Sequence, residues 1–89
     1  MVPAPAELDI TTAPVLRDHV AELFAAGATS VVLDLAALRL VDSSGIGALV
    51  ALTKRAKALG VELKMRNVGD GPATTFRISG TSSVLPLER

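Results

Sequence analysis

Hydrophobic positions change period several times along the chain. Leu16, Val20, Leu23 and Phe24 recur at spacings of three and four, which predicts a helix capped by Thr12 and ending near Gly27. Ser30-Val31-Val32-Leu33-Asp34-Leu35 is short and β-branched, and predicts a strand buried on both faces and covered by helices. From about Ser44 to Leu59 no proline intrudes, Lys54, Arg55 and Lys57 complement the negative end of the dipole, and Gly60 supplies the stop of a second helix. Val61 to Arg66 alternates with period two, as a strand with one wet face does. After a loop from Asn67 to Gly71, Pro72 suits the first turn of a third helix through Phe76 and Ile78, with Gly80 past its end. Val84 to Leu87 predicts a last short strand. Strands alternating with helices imply an α/β fold: one small domain over residues 1–89, a largely parallel or mixed sheet, right-handed crossovers and interleaved helices.

Composition narrows the function more than the fold. Apolar residues make up 49% of 89, enough for a folded core, and with two Phe and no Trp or Tyr that core is aliphatic. Nine basic and nine acidic residues cancel, so no broad positive surface exists for phosphates and no aromatic platform for bases; direct nucleic-acid binding is not expected. Without cysteine there are no disulfides or thiolate zinc sites, and His19 cannot assemble a metal site without carboxylates; no metal or cofactor is expected. His19 reads as a half-buried surface residue beside the first helix's apolar stripe. Asp34 reads as a strand end with a hydrogen-bonded carboxylate. MVPAPAELD lacks the pattern of a signal peptide, and no apolar run approaches the ~20 residues that span a bilayer, so a soluble, cytoplasmic chain is expected. Phosphate-loop and zinc-protease motifs are missing, and a serine here has no obvious base, so the expectation is a protein that is not an enzyme.

The remaining chemistry is concentrated in VDSSGIGALV, Val41 to Val50, which follows the buried strand through Leu38 to Val41 and opens the second helix. That is the carboxyl edge of the sheet, where α/β proteins place functional groups, although Asp or Ser before a helix is also the ordinary cap for its free N–H groups. At ~100° per residue, Leu49, Leu52, Ala56 and Leu59 form one face toward the sheet. Ile46 and Val50 fall off it, on an arc with Ser43, Gly47, Lys54 and Lys57. Two readings fit this second stripe: a partner surface with Gly47 at a point of close approach, or packing against a neighbouring helix.

Together, ELD before a capped helix, the strand VVLDL, VDSSGIGALV opening the next helix, and GVELKMRNV resemble the STAS domain of anti-sigma factor antagonists. The match is close from Glu7 to Arg66 and looser from Pro72 to Leu87. The resemblance implies a STAS-like fold and a protein partner, a serine-kinase anti-sigma factor. The hydroxyl that such a kinase modifies directly follows the motif's Asp, which here makes it Ser43. Partner contacts are implied around Asp9, Asp42, Ser43 and Ser44, and the second stripe extends the candidate surface to Ile46, Gly47, Val50 and Lys54. A phosphate there adds about −1.5 to −2 charge, which the exposed N–H groups of a helix start tolerate. A constitutive STAS subunit or scaffold of a lipid-transport or stress-sensing assembly is the alternative; a phosphate cradle at Gly45 and Gly47 is a weaker rival. The front of the chain departs from the family pattern, with VPAPA in place of fuller strands. Pro3 and Pro5 remove two N–H donors of the same parity, so a short first strand can pair along one edge only. That blunts an exposed edge, or marks a start lying upstream, or leaves room for a partner's strand.

Overall fold

The computed structural model describes residues 1–88. Its elements in chain order are β1 (Val2–Pro3), β2 (Glu7–Leu8), α1 (Ala13–Ala25), β3 (Ser30–Asp34), β4 (Leu40–Val41), α2 (Ser43–Leu59), β5 (Glu62–Arg66) and α3 (Asp70–Ile78). All strand pairs are parallel, in a three-stranded sheet ordered β1-β3-β5 and a two-stranded sheet β2-β4. Parallel neighbours need crossover connections, and the helices provide them.

The register explains which face the core takes. Val31 pairs with Leu63 and Leu33 with Met65, while Val2 sits opposite Leu33; all five are buried. Their core also takes in Leu16, Val20 and Phe24 of α1 and Leu49, Leu52 and Ala56 of α2. The expectation that β3 is buried on both faces is not met: Val32 and Asp34 are only half-buried, and opposite them stand Lys64 and Arg66. Helices cover one face, so the other is satisfied by ions. Glu88 pairs with both Lys64 and Arg66, and the Asp34 carboxylate accepts hydrogen bonds from the Ala36 N–H and the Asn67 amide, 3.0 Å each. The Asn67 amide first, then the Ala36 N–H, hold the Asp34 carboxyl below its ordinary value.

Pro3 and Pro5 act as the parity argument expects. The Ala4 N–H points inward to the Asp34 carbonyl, 2.8 Å, and among the described residues β1 has no second neighbour, so its outer edge carries the positions that lack donors. At the other edge the predicted closing strand is reduced. Residues 82–84 form a turn, and only a bridge between Met65 and Leu87 forms, closed by the Met65 N–H to Pro86 and the Glu88 N–H to Met65.

Further expectations change. Leu59, placed on the sheet face, is 53% exposed; it lies in the last turn of α2 at the rim of the core, and Gly45 and Ala48 complete the buried face instead. Leu23 is half-buried beside the core, and His19 is exposed. Thr12 occupies the cap position of α1 but does not cap with its side chain. Its hydroxyl donates to the Glu7 carbonyl and accepts from the Asp9 N–H, 2.7 and 2.9 Å, while the Asp9 carboxylate takes the N–H groups of Thr11 and Thr12. α3 begins at Asp70, inside the expected loop, and Pro72 falls in its first turn as expected.

Candidate functional site

The parallel pairing of β2 with β4 builds the site. Glu7 lies opposite Leu40 and Leu8 opposite Val41, so the next residues on each strand, Asp9 and Asp42, come out side by side at the carboxyl ends. A hydrogen bond from the Asp42 N–H to the Leu8 carbonyl, 3.0 Å, fixes the two loops together. Each loop then leads into a helix: Asp42 directly precedes α2, and Asp9 stands three residues before the Thr12 cap position of α1.

Asp42 is the cap of α2. Its backbone is extended, and one carboxylate oxygen accepts from the Ser44 N–H at 2.8 Å and the Gly45 N–H at 3.1 Å. Those two donors, which the sequence reading left open for a phosphate, are therefore occupied. Ser43, the first helical residue, is exposed, and Ser44 is half-buried. Gly45 touches the floor of the site: a Cβ there would stand 2.7 Å from the Leu8 carbonyl oxygen, from the Leu8 Cβ and from a Val41 methyl. α2 can sit this close to β2 and β4 only because position 45 has no side chain.

Asp9 has a structural part as well as a place at the site. Its carboxylate accepts from the Thr11 hydroxyl at 2.7 Å and from the N–H groups of Thr11 and Thr12 at 2.9 and 3.0 Å. The Thr11 hydroxyl foremost, then the Thr12 N–H, hold its carboxyl down at about 2, against an ordinary 3.8. A depressed carboxylate contributes stability that is present above its unfolded value and lost as pH falls through its folded one. Thermal melts should show the wild type losing stability between about pH 4 and pH 2 more steeply than Asp9→Asn, which has no such titration. Parallel curves would mean that the Asp9 turn does not stabilise the fold.

Along α2, Ile46 and Val50 are half-buried and rest against the edge of the core, whereas Ser43, Gly47 and Lys54 are exposed. The apolar members of the second stripe therefore pack inward in part and leave part of their surface to solvent. The site brings Asp9, Asp42, Ser43 and Ser44 to one end of the molecule, and Lys54 lies about three turns down the helix from Ser43. Arg39 and Leu40, which the sequence did not single out, share a cleft of about 450 Å3 with Asp9, Asp42 and Thr75 of α3. Their signal was present in the chain, since residues just before a strand-to-helix junction line such clefts. Among the described residues no group of three His, Cys, Asp or Glu side chains is placed to hold a metal ion, and no helix is long and apolar enough to cross a membrane.

The family model of the STAS domain matches residues 1–89. This chain belongs to the STAS domain family. A Bacillus subtilis (strain 168) protein named anti-sigma-B factor antagonist is 31% identical over 81 residues, which cover 91% of this chain and 73% of that protein. Two solved structures share the fold. The NMR structure of the protein TM1081 superposes with a TM-score of 0.83 at 17% identity, covering 97% of this STAS domain and 70% of that chain. The anti-sigma factor antagonist SpoIIAA in its unphosphorylated form gives 0.77 at 20%, covering 98% and 76%.

Proposed function

We propose that this STAS domain is an anti-sigma factor antagonist. Unphosphorylated, it binds a serine-kinase anti-sigma factor and so releases a sigma factor; phosphorylation of Ser43 ends the binding. It acts in the cytoplasm as a non-enzymatic regulator through a protein partner, without cofactor and without touching nucleic acid or membrane itself. The observation that carries the reading is the state of Ser43: an exposed hydroxyl on the first helical residue, directly after the Asp42 cap, beside the Asp9 loop. A kinase can reach this oxygen without unfolding anything. The identity to a relative named anti-sigma-B factor antagonist supports the same assignment.

Ser44 is the competing acceptor, and it is less accessible because it is half-buried. Incubation with ATP and the serine-kinase anti-sigma factors encoded by the source organism, followed by phosphopeptide mapping, tests the assignment. Ser43→Ala should abolish the modification. Full modification of Ser43→Ala, with none of Ser44→Ala, would move the site by one residue.

The partner surface extends down α2 to Ile46, Gly47, Val50 and Lys54. Val50→Asp should weaken binding by more than ~1 kcal/mol, as removal of an interface contact does, with a smaller loss of folding stability. Leu49→Asp should reverse that order, because Leu49 is fully buried and its replacement puts an unpaired charge in the core. If Val50→Asp unfolds the domain as badly as Leu49→Asp, the stripe is core and not interface.

A further inference from the structure

Ile10 stands at the head of the loop between β2 and α1, 74% exposed and outside the hydrophobic core. A single exposed apolar side chain is ordinary on a protein surface. Two things set this one apart: how its backbone is held, and what it stands beside.

The residues on both sides of Ile10 are tied down. The Asp9 carboxylate accepts from the Thr11 N–H, the Thr11 hydroxyl and the Thr12 N–H, at 2.9, 2.7 and 3.0 Å. The Asp9 N–H donates to the Thr12 hydroxyl at 2.9 Å, and the Asp9 carbonyl accepts from the Ala13 N–H at 2.8 Å. These bonds close the chain around Ile10, yet none of them uses its side chain, so the turn itself does not require an apolar residue there. A β-branched side chain has few rotamers to lose, and the braced backbone has little freedom left. Ile10 is thus presented to solvent in a form that costs little to bury against a second surface.

Its place is set by α2. Ile10 and Pro14 share a hollow of about 280 Å3 with Ser44 and Ala48, whereas Ile46 and Val50 do not line it. At about 100° per residue, Ser43 projects between Ile46 on one side and Ser44 on the other. Ile10 therefore stands across Ser43 from the Ile46–Val50 flank, and Asp9, which braces it, is the residue set beside Asp42.

We propose that Ile10 is an apolar anchor for the anti-sigma factor, entering a socket of aliphatic or aromatic side chains on that partner, and that Asp9 is the positioning residue that presents it. Together with Ile46 and Val50 it holds the partner on both sides of Ser43, which fixes the partner's orientation over the hydroxyl. The inference rests on the proposed function for the identity of the partner. It gives Asp9 a part in binding that acts through its neighbour and depends on the same hydrogen bonds that lower its carboxyl.

The test compares two exposed isoleucines in the complex with the serine-kinase anti-sigma factor that binds the wild-type protein. Ile78 is 80% exposed at the end of α3 and lines neither the hollow beside Ser44 nor the cleft beside Asp42. Titration calorimetry should show at least tenfold weaker binding for Ile10→Ser and less than twofold for Ile78→Ser, with unchanged melting temperatures. A double-mutant cycle then reads the positioning: in an Asp9→Ala background, or in Thr11→Val if Asp9→Ala does not fold, Ile10→Ser should cost less than threefold further. Affinity within twofold of wild type for Ile10→Ser, or equal losses for the two isoleucines, would overturn the anchor while leaving the proposed function standing. A full tenfold loss repeated in the second background would overturn the positioning by Asp9. Failure of every such anti-sigma factor to bind the wild type would overturn the proposed function and the anchor with it.

Discussion

Gly45→Ala should melt roughly 10 °C below the wild type, while Gly47→Ala, the same substitution two residues along the same helix, should melt a few degrees above it. The difference lies in what each new methyl meets. At 45 it would stand 2.7 Å from the Leu8 carbonyl oxygen, the Leu8 Cβ and a Val41 methyl at once. A backbone oxygen in a paired strand cannot swing aside as a side-chain tip can, so α2 must lift from β2 and β4. Overpacking of that kind costs typically about 1–3 kcal/mol. The top of that range is appropriate for three simultaneous contacts, and the gain in helix propensity of about 1 kcal/mol offsets part of it. A net loss of about 2 kcal/mol in a domain of this size lowers the melting temperature by roughly 10 °C. At 47 the new Cβ has nothing within 4 Å, so only the propensity gain remains. Equal melting temperatures for the two variants would show that α2 is not seated against β2 and β4 as described.

Ser43→Asp should fold normally and lose at least a hundredfold in affinity for the anti-sigma factor. Folding is spared because Ser43 is exposed and no core contact is removed. A negative group at a helix start gains about 0.3–1 kcal/mol from the dipole. Here the Ser44 and Gly45 donors are already held by Asp42, whose own charge opposes a second one beside it, so the net change in stability stays small. Binding is different. A charge pressed into an interface without a partner loses its water and costs several kcal/mol, and about 2.8 kcal/mol is already a hundredfold. Thermal melts and titration calorimetry of the variant separate the two halves. A large fall in melting temperature would make Ser43 a structural residue, and unchanged affinity would favour a constitutive STAS subunit.

How much of this was legible in the sequence depends on element length. α2 spans 17 residues between an Asp cap and a left-handed Gly60, and its start was placed within one residue. The parallel α/β arrangement followed from the alternation of strands and helices, and the resemblance carried jointly by ELD, VVLDL, VDSSGIGALV and GVELKMRNV led to the family. The small β2-β4 sheet was not legible, because two residues per strand show no period, yet it is this pairing that sets Asp9 beside Asp42. The single covered face of the sheet was also hidden: Val32 looks like a core residue in the chain, and only its register with Lys64 shows that it faces the ions. Asp9 entered as a contact residue, while its hold on Thr11 and Thr12 depends on a loop geometry that spacing does not reveal. Leu59 shows the limit of a helical wheel, which gives the angle of a side chain but not where the core ends.

Under the proposed function, phosphate on Ser43 governs binding. Titration calorimetry of the cognate serine-kinase anti-sigma factor against the unphosphorylated protein and against the same protein phosphorylated on Ser43, verified by intact mass, tests it most directly. Phosphate carries about −1.5 to −2 charge against −1 for aspartate, so the phosphorylated form should bind more weakly than Ser43→Asp, with no measurable heat at concentrations that saturate the unphosphorylated form. Equal affinity of the two forms would contradict the account.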